Sequence, residues 1–167
     1  SEDSFKVIFN LMTKNKTLFF DKHYNNALMK KYSINDIMTI ASLVEKEGKN
    51  ENDKRFISSV IINRLNSNMK LQIDASTIFA ITKGKFKFER KLNYQDLKIN
   101  DKFNTYFIKG LPPSPICFVG RKTIEIVLEN YKSEYLFYFY DNNLKRHIFS
   151  KSFNDHKNKL TKYRQKN

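Results

Sequence analysis

The sequence predicts an α+β domain that is mainly helical and carries one small β-hairpin or sheet. Three observations carry this expectation. Apolar residues recur at helical spacing in several separate stretches. Gly and Pro number only 4 and 3, too few for disorder or for an array of tight-turned hairpins. Near the end of the chain, two aromatic-rich runs flank Asp141-Asn142-Asn143, a hairpin signal.

The elements follow in order. Over residues 3–20, Phe5, Ile8, Phe9 and Met12 keep the spacing of an amphipathic helix, with Phe19 and Phe20 beyond them. His23–Tyr32 is more polar and reads as a connector. Ser33 reads as the N-cap of a second helix. Its apolar positions are Ile34, Ile37, Met38, Ile40, Ala41, Leu43 and Val44, and Gly48 is a natural stop. A third helix runs from Asn52 to about Leu65 on Phe56, Ile57, Val60, Ile61 and Leu65. Residues 66–73 read as a turn and a short extended piece, after which Asp74 caps a short helix through Ile81. Residues 83–104 are lysine-rich and loop-like. Pro112, Pro113 and Pro115 forbid a helix and stiffen the loop from Gly110 to Ile116. A helix over 121–131, the hairpin strands Tyr135–Tyr140 and Arg146–Phe149, and a basic helix from Ser152 to Tyr163 complete the chain.

The 167 residues fit one domain with a small appendage. We divide them into an N-terminal helix and connector (1–32) and a main domain (33–167). Hydrophobic residues make up 40%, enough for a core. The net charge is +14, from 31 Lys+Arg against 17 Asp+Glu. Such a chain attracts nucleic acid, anionic lipid or an anionic cell wall. Abundant Lys, Asn and Ile are also what drift in an A+T-rich genome produces, so charge alone selects no partner. The one cysteine, Cys117, allows no intrachain disulfide and sits in an apolar stretch, as a buried thiol does. No run reaches the roughly 18 apolar residues of a membrane span, and no signal peptide is visible. The abrupt opening at Ser1, just before a helix, reads as a fragment, with a targeting segment expected upstream. His147 and His156 have no partner at metal-ligand spacing, so no metal and no cofactor are expected. Walker, dinucleotide-binding and nucleophile-elbow motifs are missing, as are nucleic-acid-binding signatures, so no nucleic-acid partner is expected.

Three clusters can carry chemistry. In Glu45-Lys46-Glu47, a helix turning about 100° per residue points Lys46 away from the apolar stripe. Glu45 and Glu47 then sit on its opposite edges. Either could lie half-buried beside a cleft, with its pKa raised to suit a general acid. Two solvated glutamates at a helix end are the commoner outcome for such a motif, and periodicity does not choose between Glu45 and Glu47. In the second cluster, alternation places Gln72 and Asp74 on one side of an extended segment, with Ser76 beyond. These groups suit sugar hydroxyls, while Asp74 can also simply cap a helix. The third, Asn104-Thr105-Tyr106, combines amide, hydroxyl and phenol, which suits a sugar or peptide as well as a turn around a buried tyrosine.

Taken in order, these segments resemble a known family. Ile40–Glu47 looks like the "ASIVEKE" signature of the endolytic murein transglycosylases, the MltG or YceG-like family. Val60–Leu65 resembles its "VFINRL", Leu71–Ser76 its "LQTDPT", Asn104–Tyr106 its "YNTY" and Gly110–Ile116 its "GLPPGPI" segment. Tyr135–Tyr138 and His147–Ser150 match two more, so the resemblance spans most of residues 37–157. The departures are Gly48 for a common Thr, Ala75 for Pro, Ser114 for Gly, the Cys117-Phe118-Val119 stretch and the lysine-rich region 83–91.

The resemblance implies a YceG-like catalytic domain with murein as substrate and Glu47 as the catalytic residue. It implies an endolytic lytic transglycosylase that cuts the β-1,4 bond from N-acetylmuramic acid to N-acetylglucosamine, leaves 1,6-anhydro ends and terminates nascent glycan strands. It implies a parent anchored by a single N-terminal transmembrane helix, with a LysM-like region before Ser1. That parent would act at the periplasmic or extracytoplasmic face, with cell-wall synthases as partners. On this reading Gln72, Asp74, Ser76, Asn104 and Thr105 contact the sugar, while Tyr106, Leu111, Pro112 and Pro113 form a cleft wall. The rivals are a non-catalytic glycan-binding domain, a hydrolase on the same scaffold and a basic nucleic-acid-binding protein.

Overall fold

A computed structural model describes residues 2–165, apart from the side chains of residues 2–5, 8 and 9. Among the described residues the helices are α1 (Glu2–Lys22), α2 (Ile34–Glu47), α3 (Glu51–Asn66), α4 (Asp74–Thr82), α5 (Arg121–Leu128) and α6 (Phe153–Gln165). Strands β1 (Phe137–Asp141) and β2 (Arg146–Ser150) form one antiparallel pair, and a single 3₁₀ turn spans Asp96–Lys98. The fold is α+β and mainly helical.

Helix α2 is the centre of the molecule. Ser33 and Asp36 start it with a capping box: the Ser33 hydroxyl accepts from Asp36 N at 3.1 Å, and the Asp36 carboxylate accepts from Ser33 N at 3.0 Å. Ile37, Ile40, Ala41, Leu43 and Val44 are wholly buried, and so are Thr39 and Ser42. The two hydroxyls are satisfied within the helix, by Asn35 O and Thr39 O. A helix buried on nearly every side needs neighbours on several, and α3, α4 and α5 supply them.

Gly48 ends α2 for a reason other than the expected one. Its φ is −75° and ψ 130°, an extended conformation open to any residue rather than the left-handed cap of a helix C-terminus. What excludes a side chain is the start of α3. A Cβ there would collide with Lys54 Cγ and come within 3.2 Å of the Lys54 backbone.

The hairpin is displaced by a residue or two from its expected bounds. Its register pairs Tyr138 with Phe149 and Tyr140 with His147 on one face, and Phe137 with Ser150 and Phe139 with Ile148 on the other. Two strands alone are marginal in water, so both faces are covered. Phe137 and Phe139 meet Phe153, His156 and Tyr163 of α6. Phe149 stacks with Phe56 of α3.

At the other end, among the described residues α1 docks through its last turn. Phe20 is buried and Phe19 packs beside it, whereas Met12 is exposed. The side chains of Phe5, Ile8 and Phe9 lie outside the described residues. The connector joins the core through Leu28 and through Asn26, whose amide donates to Leu128 O at 2.8 Å.

Gly48→Ala is expected to destabilise the fold by about 1–3 kcal/mol, the usual range for overpacking, because Lys54 is anchored at both backbone and ammonium. Urea unfolding of the two proteins measures it.

Candidate active site

The last residue of α2, Glu47, opens onto a cleft of about 310 Å³. One wall is the chain entering α4, with Leu71, Gln72 and Asp74, joined by Tyr106. The facing wall is the hairpin, with Tyr138, Tyr140 and His147. Arg64 of α3 lies between the walls.

The two glutamates that periodicity left equal are separated by their neighbours. Two residues apart on a helix, their side chains diverge by about 200°. Glu45 turns toward α3 and α5. Its Oε2 accepts from Lys54 Nζ at 2.9 Å and also from the Thr123 hydroxyl. Burial alone would raise this carboxyl, but the Thr123 and Lys54 hydrogen bonds and the Lys54 charge outweigh it and hold it below its ordinary value. Glu45 is a structural anchor.

Glu47 turns the other way. Burial first, then the nearby Asp74 charge, push its carboxyl up to about 7. Hydrogen bonds from the Tyr138 hydroxyl and the Ala75 backbone and the charge of Lys49 pull against that rise without cancelling it. The Tyr138 hydroxyl donates to Glu47 Oε2 at 3.2 Å. Burial and the adjacent Glu47 keep this phenol well above its usual range, so it remains a donor. Asp74 has a similar partner: the Tyr106 hydroxyl donates to its Oδ1 at 2.6 Å. Burial and Asp74 raise the Tyr106 phenol as well.

The expected sugar contacts divide into two groups. Gln72 and Asp74 are exposed and line the cleft, though not by strand alternation. Gln72 has φ +52°, a left-handed kink rather than an extended residue. Asp74 is the first helical residue of α4, not its cap; the N-cap is Ile73, which makes no side-chain cap bond. Ser76, Asn104 and Thr105 are wholly buried behind the wall. Thr105 Oγ1 lies 2.8 Å from Ser76 Oγ and accepts from Ile73 N at 2.9 Å. Asn104 donates to Leu97 O and Ile99 O and accepts from the Thr77 hydroxyl. Their polar groups are spent on the protein, so they hold the wall rather than face a ligand. Tyr106 lines the cleft.

The proline loop lies elsewhere. Leu111 packs on the core, Pro112 is buried, and Pro113 O accepts from the Asn35 amide at 3.1 Å. Ile116 N donates to Ser42 Oγ at 3.0 Å, so the loop fastens to α2 outside the cleft lining. Cys117 Sγ is 3.4 Å from Ser42 O, and burial raises its thiol, which suits an inert thiol.

Sequence reasoning missed Arg64, Tyr138, Tyr140 and His147 as cleft residues. For the tyrosines and histidine the signal was present, since hairpin alternation puts 138, 140 and 147 on one face. Arg64 lies in the Val60–Leu65 segment that carries part of the resemblance, but nothing in its spacing pointed it at the cleft.

Residues 1–162 match the family model described as the YceG-like family. The chain is 32% identical over 162 residues to the endolytic murein transglycosylase of Bacillus subtilis (strain 168), covering 97% of this chain and 44% of that protein. It is 34% identical over 133 residues to the endolytic murein transglycosylase of Streptococcus pneumoniae (strain ATCC BAA-255 / R6), covering 78% of this chain and 23% of that protein. The fold is similar to the crystal structure of a putative YceG-like protein from Listeria monocytogenes, with a TM-score of 0.78 and 33% identity over 92% of this chain and 48% of that one. The chain thus spans less than half the length of these relatives.

The Glu47 carboxyl has a stability consequence. Its folded-state pKa lies above the ordinary 4.5 at about 7, so the folded protein holds the proton more tightly than the unfolded chain. The resulting penalty is absent below about 4.5, grows as pH rises, and is complete above about 7, reaching about 3 kcal/mol. Glu47→Gln removes it. The variant is expected to gain up to that amount at about pH 8 and almost nothing at about pH 4, measured by urea unfolding at both.

Proposed function

This chain belongs to the YceG-like family, and from that premise we propose that it is the catalytic part of a lytic transglycosylase that cuts peptidoglycan glycan strands. The observation that carries the reading is one carboxyl, Glu47, held at about 7 on the wall of an open cleft. At neutral pH such a group exists in both protonation states, which general acid–base catalysis requires.

The β-1,4 bond between N-acetylmuramic acid and N-acetylglucosamine would lie across the cleft. Protonated Glu47 donates to the departing glycosidic oxygen. The 6-hydroxyl of the muramic residue attacks its own anomeric carbon and closes a 1,6-anhydro ring, and the carboxylate is able to take up the proton this releases. No water is activated, so the second carboxyl of an ordinary glycosidase is not required. The Asp74 charge, steadied by Tyr106, faces the positive character that builds at the anomeric carbon. Gln72 bonds sugar hydroxyls. Ser76, Asn104 and Thr105 contribute by keeping that wall rigid.

Asp74 also supports a second reading. A second carboxylate in the cleft is the equipment of a hydrolase, and product chemistry separates the two: anhydro ends from the transglycosylase, reducing ends from the hydrolase. The family resemblance extends the main reading to action outside the cytoplasmic membrane on strands made by cell-wall synthases, within an anchored parent protein. Among the described residues no helix is long and apolar enough to cross a membrane. The +14 net charge suits an anionic wall.

Glu47→Gln is expected to lower anhydro-product formation from isolated murein by ~10²–10⁴-fold, scored by mass spectrometry. Glu45→Gln, which alters only a structural anchor, is expected to keep activity wherever it folds. Full activity in Glu47→Gln would overturn the assignment.

A further inference from the structure

The cleft contains a second group able to handle a proton. His147 lines it from β2, beside Tyr138. The Tyr138 ring meets the His147 ring edge-on at 5.6 Å between centroids, while the Tyr138 hydroxyl reaches Glu47. Behind His147, its Nδ1 lies 3.0 Å from Oδ2 of Asp53 in α3, and both residues are buried. With a hydrogen on Nδ1 donated to Asp53, Nε2 carries a lone pair and is the ring nitrogen left for the cleft. Tyr140 packs edge-on against the imidazole at 5.0 Å, and Phe149 lies at 6.1 Å. The ring is therefore fixed on several sides.

A buried Asp–His pair alone would be an ordinary structural tie. Here the ring borders the same cleft as the acid, while its orienting carboxylate is buried and does not line the cleft. A proton acceptor held by a third group, beside a separate proton donor, is the arrangement of general base catalysis.

We propose that His147, oriented by Asp53, is a second catalytic residue that accepts the proton of the attacking sugar hydroxyl while Glu47 protonates the leaving group. This rests on the transglycosylase reading and divides its proton handling between two groups. In the step, the O6–H proton moves to His147 Nε2 and O6 bonds to the anomeric carbon. The bond from that carbon to the glycosidic oxygen breaks, and the oxygen takes the Glu47 proton. The imidazolium then returns a proton through solvent to the Glu47 carboxylate, so turnover changes no net proton count. Asp53 faces the transient positive charge. Among the described residues, the other titratable or charged groups lining the cleft with it are Glu47, Arg64, Asp74, Tyr106, Tyr138 and Tyr140, and Lys49 lies 5.6 Å from the Tyr140 ring centroid.

The test uses the full chain on isolated murein strands across roughly pH 5 to 9. His147→Gln is expected to lose ~10²-fold in kcat with little change in KM. It should also lose the fall in rate at low pH that protonation of a base produces, and recover part of its activity with added imidazole. Asp53→Asn should show a smaller loss with a displaced low-pH limb. Wild-type kcat and pH profile in folded His147→Gln would sink the proposal. If that variant does not fold, NMR of wild-type protein carrying labelled histidine decides. Added chitotetraose must move the His147 Nε2 signal and leave His156 still, and an unmoved His147 overturns the assignment. Full activity in Glu47→Gln would strike the underlying reading instead. An inactive Glu47→Gln beside a fully active His147→Gln would remove only the role of His147.

Discussion

The cleft depends on one buried guanidinium. Arg64 is 7% exposed, and a charge so placed is costly unless its donors are met. Nε donates to Leu136 O at 2.6 Å, and Nη1 donates to Leu71 O at 2.7 Å and Lys70 O at 3.2 Å. The Phe137 ring lies 5.1 Å beneath the guanidinium carbon. These carbonyls belong to the two segments that become the cleft walls. Leu136 leads directly into β1, two residues before Tyr138. Leu71 leads directly into Gln72 and Asp74. The neighbouring Asn63 adds bonds to Ser133 O and Tyr135 O, so one turn of α3 sets both walls relative to α2.

Within that frame the two cleft carboxyls differ by depth. Each accepts from a tyrosine hydroxyl, Glu47 from Tyr138 and Asp74 from Tyr106. Glu47 is half-buried and Asp74 exposed. Desolvation therefore acts on Glu47, and the Asp74 charge adds to it. The Glu47 carboxyl is raised because it is the deeper of the two and has the Asp74 charge beside it. The buried threonine, serine and asparagine behind α4 hold this spacing, since each spends its hydrogen bonds on the backbone or on another of the group.

Much of the fold was legible because it is local. The N-cap residue Ser33 and the apolar stripe after it announce α2 directly, and the aromatic runs around Asp141 announce the hairpin. Gly48 was the right stop on different grounds, because its constraint is the approach of Lys54 rather than its own backbone angles. Polar residues were legible only as a class. The amide and hydroxyls of Asn104, Thr105 and Ser76 suit a sugar, yet they equally suit buried carbonyls. Nothing in their identity tells which partner they meet. The proline loop was read correctly as non-helical, and its place against Ser42 rather than the cleft was invisible.

The sequence by itself determined the helices, the hairpin and a short set of candidate acids, because periodicity and capping act among neighbours in the chain. The tertiary structure decided which candidate carboxyl is raised and which is lowered. Lys54 and Thr123, brought from α3 and α5, stabilise the charge on Glu45, while Tyr138 and Asp74 meet Glu47 where burial penalises its charge. A carboxyl's proton affinity is set by whatever packs against it, and for these two those groups lie up to 91 residues away.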